Sequence, residues 1–327
     1  MIRPLRDDDF KALARLWREL RPDTVHSERG LRHLIESFPP RAQIRYWVAD
    51  DAGIVAWAFA HRRYWRASNS AYLWIGVLPE AREQGLGARL YSLAEQHVSG
   101  LSVERLHADV VGEPAGEAFL ERRGFRFQRR IVLSAVDPRF VDPTELDARR
   151  ARAESDGYRL LPYAQVDAGA LYRLDMGAAD DAPGEDAPHE LSFEEWLGDF
   201  FEQPDLTPEG SFVVARGDEL VAHSALSVDH ASRRGRNEGT STAHAHRGRG
   251  LATLAKLAQL RWAAEEGIER VIADNDEQNA AMLAVNRRLG YRPFVERRGF
   301  VKELLSGKAL RTSAGSTCAV TQTGVVT

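Results

Sequence analysis

Apolar positions along this chain follow two periods, one near 3.6 residues and one near 2, and the order in which they alternate occurs twice. In the first half, residues 2–6 read as a strand and 7–20 as a helix, with Asp7, Asp8 and Asp9 supplying cap and first-turn acids. Residues 44–48 and 54–60 read as strands around the turn-forming Asp50-Asp51-Ala52-Gly53, and 71–77 alternates as a third. Helical spacing follows at Leu90, Leu93 and Ala94, then a strand at 106–110, a short helix at 115–122 and a strand at 125–133. The second half repeats the order: strands at 158–162, 211–215, 219–228 and 238–243, a helix at 251–266, a strand at 271–274, a helix at 279–289 and a strand at 292–301. The expectation is an α/β fold (α+β, with a mixed sheet) built twice. Its domains would be 1–137 and 157–305, joined by a polar, Arg-, Asp- and Glu-rich linker at 138–156 with a helical piece. After Leu305 the chain turns Ser-, Thr- and Gly-rich, so 306–327 is expected to be a mobile tail.

At the same point in each half a glycine turn separates a strand from a helix. It reads Arg82-Glu83-Gln84-Gly85-Leu86-Gly87-Ala88 in the first half and Arg247-Gly248-Arg249-Gly250-Leu251-Ala252 in the second. Downstream stand Arg123-Gly124-Phe125 and Leu289-Gly290-Tyr291. Gly85 and Gly250 are 165 residues apart, and Gly124 and Gly290 are 166 apart, which marks a duplicated domain. The first turn of a helix leaves backbone N–H groups without partners, and with the helix dipole they form an anion site. Glycine lets the backbone approach a pyrophosphate closely and adopt a positive φ. The small residue two positions on, Gly87 or Ala252, keeps the entrance clear. The first glycine of a dinucleotide fingerprint is missing, and no Gly-Lys-Ser/Thr follows as in a P-loop.

These turns resemble the Arg/Gln-x-x-Gly-x-Gly/Ala phosphate loop of the GNAT superfamily of acyl-CoA-dependent N-acetyltransferases. The resemblance covers both halves, so the chain looks like a tandem GNAT protein with two GNAT-like domains. The second copy fits better: His246 to Ala252 is followed by Asn275, Asn279, Met282, Asn286 and Leu289-Gly290-Tyr291, a form similar to a subgroup among actinobacterial small-molecule acetyltransferases. The resemblance implies acetyl-CoA as co-substrate, with the amides of Arg249, Gly250, Leu251 and Ala252 around its pyrophosphate beside Arg247 and Gly248. It implies that Thr242 and Ala243 offer strand backbone to the pantetheine arm, near Asn275 and Asn279. Asn279 equally reads as a helix N-cap. Arg82, Gln84, Gly85 and Gly87 are the first-half counterparts. Many members place a Tyr four residues before the landmark glycine as acid for the leaving thiolate; here Asn286 and Leu120 stand there. Leu120 cannot donate a proton, and Asn286 donates a hydrogen bond without being an acid. The first half also has Glu113 where the Asn is expected. The second half is therefore expected to be catalytic, and the first to hold acyl-CoA without turnover or to serve as scaffold.

Transfer to an amine requires that amine to be neutral, hence a general base. Glu238 is the candidate: it begins the strand leading to the second loop, and period-2 geometry puts Glu238, Thr240 and Thr242 on one face. An exposed strand-end glutamate is the plainer reading. His223 is a second candidate, though a strand histidine is more often structural. His244 and His246 alternate like metal ligands without a supporting cluster, so no metal is expected.

The 327 residues suit two domains, and 43% hydrophobic content is enough for real cores. Net charge −4 and a pI near 6.2 argue against nucleic acid. Cys318 is the only cysteine, so no intrachain disulfide can form. With no apolar signal core at Met1 to Arg6 and no apolar run of about 20 residues, the expectation is a cytoplasmic protein without a membrane partner. Residues 174–215 contain no Lys or Arg and twelve acids. In the resembled family this region folds over the acceptor site, and a cleft of one sign concentrates ligands of the other. The expected acceptor is a small cationic amine, polyamine-like or antibiotic-like; a solvated acidic loop is the alternative. Trp196, Phe200 and Phe201 are expected to be core. Arg233, Arg234 and Arg236 read as a solvated hairpin turn, or as a contact for the CoA 3′-phosphate. The leading expectation is direct N-acetylation in antibiotic self-protection or biosynthesis. A mycothiol-synthase-like tandem transferase, a non-catalytic acyl-CoA-binding protein and a homodimer stay open.

Overall fold

A computed structural model describes residues 1–64, 69–179 and 191–304. In the first half, β1 (Ile2–Pro4) leads to α1 (Phe10–Leu20), α2 (Glu28–Glu36), β2 (Arg45–Asp50), β3 (Ile54–Arg62) and β4 (Ser70–Val77). Then come α3 (Leu86–Ser99), β5 (Arg105–Val111), α4 (Pro114–Glu121) and β6 (Arg126–Val136). The stretch 138–156 holds a 3-10 turn and α5 (Pro143–Ser155). The second half contains β7 (Tyr158–Pro162), α6 (Ala168–Ala179), α7 (Phe193–Trp196), β8 (Phe212–Arg216), β9 (Glu219–Asp229) and β10 (Arg234–Thr242). It ends with α8 (Leu251–Glu265), β11 (Arg270–Asp276), α9 (Ala280–Arg288) and β12 (Arg292–Glu303).

Local chemistry explains the helices the periodicity did not mark. Ser27 Oγ accepts from Gly30 N at 3.0 Å and starts α2. Asp142 caps α5, whose first residue is Pro143, a residue suited to a first helical turn. The predicted helix at 7–20 begins instead as a 3-10 turn at Asp7–Asp9. There Asp9 accepts from Arg6 N at 2.8 Å and pairs with Arg3 at 2.7 Å.

All twelve strands among the described residues join one sheet, ordered β1-β2-β3-β4-β5-β12-β6-β11-β10-β9-β8-β7. Each half contributes the same five-strand run. The last strand of each half is exchanged: β12 pairs with β5, β6 pairs with β11, and β6 and β12 pair with each other from Arg292↔Ala135 to Val301↔Arg126. Each half's sheet is thus finished by the other's final strand. Among the described residues only β4–β5 and β10–β11 run parallel. On α3, Leu90, Tyr91, Ala94 and Val98 form the buried stripe of an amphipathic helix. Helix α8 is buried on all sides from Thr253 to Leu260, because it lies between the second half's sheet and α5.

Candidate active site

Each parallel pair opens like a wedge. β4 and β5 are paired only from Ser70↔Arg105 to Leu73↔Ala108, and β10 and β11 only from Arg234↔Arg270 to Arg236↔Ile272. Beyond these points β10 has a strand neighbour only in β9, so alternate backbone groups towards Thr242 face the gap. At the mouth of each wedge stands a glycine turn at the start of α3 or α8. Gly85, Gly248 and Gly250 have φ of 77°, 72° and 78°, a region that favours glycine. In the first loop Glu83 takes φ 62° where the second has Gly248, at a cost of about 1 kcal/mol. A Cβ on Gly85 would meet nothing within 4 Å, whereas one on Gly250 would come 3.3 Å from Arg149 Nη1 of α5. The two loop arginines make the same bond: Arg82 Nε donates to Val77 O at 3.0 Å, and Arg247 Nε to Thr242 O at 3.1 Å. Arg82 also reaches Glu113 at 3.3 Å. Gln84 and Arg249 are exposed, while Leu251 turns into the core and Ala252 is half-buried. Ala243 N–H donates to Val221 O at 2.8 Å, so that group is turned towards β9 and not towards the gap.

In the first half the wedge holds a cavity of about 560 Å³. Arg82, Gly85 and Gly87 bound one end, and Ala108, Asp109 and Val110 the other. The loop amides and this apolar trough fit a phosphate-bearing thioester.

In the second half the environment of Glu238 departs from the expected alternation. Glu238 is the extra residue of a β-bulge, since Asn237 pairs with Leu226 and Gly239 with Ala225. It therefore lies inside β10, not at its start, and does not share a face with Thr240. Thr240 Oγ1 donates to Asn237 Oδ1 at 3.0 Å on the α8 side, where Lys256 Nζ reaches the same oxygen at 2.8 Å. Glu238 instead pairs with Arg236, which reaches Asp274 at 2.8 Å. From there Arg297 joins Asp274 to Asp23, Arg21 binds Asp23 at 2.8 Å, and Arg21 approaches Asp109 at 3.6 Å. Burial opposes ionisation of Asp23, but Arg21 and Arg297 outweigh it and hold its carboxyl well below the usual range. Asp109 and Asp274 are 165 residues apart, the period of the repeat, and each is close to the point where its parallel pair opens. Neither stood out in the sequence, although the loop offset applied to β5 and β11 would have paired them.

His223 is 1% exposed and lies outside the open wedge. Tyr163 Oη meets its Nδ1 at 2.6 Å, and its Nε2 stands 3.3 Å from Asp175, which accepts from Trp196 Nε1 at 2.8 Å. Asn279 Oδ1 caps α9 by accepting from Met282 N at 3.1 Å. Asn286 Nδ2 donates to Asn275 Oδ1 at 2.6 Å, and its own Oδ1 is buried without a hydrogen-bond partner. His246 meets Tyr158 at 3.0 Å, and among the described residues no three metal-ligating side chains cluster.

Two surface expectations need correction. The arginine cluster is a solvated turn only at Arg233, which is exposed and pairs with Glu269 at 2.7 Å; Arg234 and Arg236 belong to β10, Arg234 donates to Pro22 O at 2.5 Å, and Arg236 is enclosed in the ion chain. The acidic stretch is not simply a lid facing solvent. Asp180, Asp181, Glu185, Asp186 and Glu190 lie outside the described residues. Of the others, Glu195 pairs with Arg41 at 2.7 Å, Asp199 accepts from Tyr64 at 2.7 Å, and Asp205 accepts from Ser27 N at 3.0 Å. These acids dock the second half on the first. Glu194, Glu202 and Glu209 remain exposed. Trp196 is buried, as expected of core.

Residues 10–125 and 168–291 each match the acetyltransferase (GNAT) family, together more than half of the chain. No curated protein matches it. Among solved structures, a tandem GNAT protein from the clavulanic acid biosynthesis pathway aligns with TM-score 0.71 and 19% identity over 93% of this chain and 98% of its own. A GCN5-related N-acetyltransferase from Sphaerobacter thermophilus aligns with TM-score 0.66 and 19% identity, over 93% and 95%. Among the described residues no helix is long and apolar enough to cross a membrane.

Proposed function

The chain belongs to the GNAT acetyltransferase family, whose members are acyl-transferring enzymes that use acetyl-CoA, and we propose that it acetylates a primary amine of a small cationic acceptor at the wedge of its second half. The observation that carries this reading is the bulge in β10. It turns Glu238 away from the α8 side and towards Asp274, beside the opening and on the strand that runs into the glycine loop. In this reading the amides at Gly250 to Ala252 hold the pyrophosphate. Asn279 and the Asn275–Asn286 pair border the thioester arm, and Glu238 takes the proton of the incoming ammonium. With Asn286 in place of an acid, the leaving sulfur takes its proton from the amine or from water. The exposed Glu194, Glu202 and Glu209 and the net charge of −4 support a cationic acceptor. The test is CoA thiol release by the intact chain over a panel of cationic and neutral amines. Release should require a cationic amine, and Glu238→Gln should lower kcat about 100-fold or more. Acetyl-CoA binding without release for any amine would instead identify a binding protein.

A further inference from the structure

A second cavity, of about 490 Å³, adjoins the first half's wedge. The two cavities share Arg21, Ala108 and Asp109, and they meet where β4 and β5 part, since Leu73↔Ala108 is the last paired register and Asp109 follows it. Asp109 is placed for chemistry. Its Oδ1 is buried without a hydrogen-bond partner, with Arg21 Nη1 3.6 Å away. Tyr72 and Arg21 engage the carboxyl, yet this one oxygen is left without a hydrogen bond, which is uncommon for a buried acceptor. Part of the wall is aromatic, with Phe38, Tyr46, Phe59 and Tyr72 all half-buried, and part is basic, with Arg63 and Arg129 beside Arg21. The second half completes it with Arg236 of β10 and with Arg297 and Phe300 of the exchanged strand β12. Its size, its ring-lined wall and its single carboxylate at the junction are those of a small-molecule pocket.

We propose that the first half is a second transfer site, which takes an aromatic amine in this chamber and uses Asp109 as proton acceptor. The ring of the amine packs among the four aromatic side chains, and its ammonium lies against Asp109. The ammonium gives one proton to Asp109. The neutral nitrogen then forms a bond to the thioester carbonyl carbon, and the carbon–sulfur bond breaks with its electron pair leaving on sulfur. The second nitrogen proton goes to that sulfur, and Asp109 releases its own to water. The sum is ammonium and thioester giving amide, thiol and one proton, so Leu120 in place of an acid is no obstacle.

The experiment is CoA thiol release by the intact chain from acetyl-CoA with tryptamine as probe. Saturable release is expected. Asp109→Asn should lower kcat about 100-fold with KM within about threefold, and Phe59→Ala and Tyr46→Ala should each raise KM about tenfold. Absence of tryptamine-dependent release overturns the proposal, as does a folded Asp109→Asn with wild-type kcat. If Asp109→Asn loses its cooperative melt, the two wall variants decide, and KM unmoved in both overturns it. Release with spermidine but not tryptamine would overturn this site and leave the second-half reading standing. Tryptamine release that collapses in Asp109→Asn and is unchanged in Glu238→Gln, with no release for spermidine, would do the reverse.

Discussion

Lys256 sits in α8 with no exposed surface, donating to Asn237 Oδ1 at 2.8 Å and 5.2 Å from the Tyr291 ring centre. Burial brings its pKa down to about 7, and Asp274 only partly opposes this. In the unfolded chain a lysine titrates near 10.4, so between about pH 7 and 10 the unfolded state binds a proton that the native state does not. Stability from this group should therefore rise with pH across that window, by at most about 1.4 kcal/mol per unit. Lys256→Met should flatten the rise, as urea unfolding at pH 7.5 and 9.5 would show; equal slopes in both proteins would contradict it. At this scale the sequence was only partly informative. Asn279 was legible as a cap, one of two readings that stood equally, because its side-chain oxygen reaches a backbone N–H left free in the first helical turn. Lys256 was not, because it faces the sheet and takes its partner, Asn237 Oδ1, from the bulged part of β10, which its neighbours along α8 do not announce.

Among the elements, the two glycine turns differ in one respect. Both glycines have positive φ, but only Gly250 has a neighbour, Arg149 Nη1, within 3.3 Å of an added Cβ. Alanine should cost about 1 kcal/mol at either position through backbone strain. Gly250→Ala should lose more than Gly85→Ala, since Arg149 must also shift, and thermal melts of the two variants give the comparison. The long regular elements, such as β9 and α8, were legible because their periods extend over ten residues or more. The bulge was not: one inserted residue reverses the alternation from Glu238 to Thr240, and nothing in the side chains of Asn237, Glu238 and Gly239 announces it. Helix α2 was missed because Arg29, Arg32 and His33 hide a narrow apolar face around the fully buried Leu31.

In the whole molecule, the two wedges are joined through the ion chain from Asp109 to Glu238, and Arg297 is its middle link between Asp23 and Asp274. Removing one cation from a buried network leaves carboxylates uncompensated, so Arg297→Met should destabilise by about 3–5 kcal/mol. The halves share one sheet, and calorimetry should show a single transition moved down; two separate transitions in the unaltered protein would contradict the shared core. The duplication was readable from the 165-residue offset, whereas the exchange of β6 and β12 was not. Both copies carry the same pattern, so local residues do not say which copy a final strand will join.

That exchange also sets an order in time. The strand that covers the free edge of β5 ends at Glu303, 167 residues after β6 ends at Val136. At about 5–20 residues per second, a ribosome makes that stretch in about 8–33 seconds. During that interval the first half emerges with a bare strand edge and waits for the last strand made. The interval is long enough to admit a chaperone, or a neighbouring nascent chain offering its own copy of the missing strand.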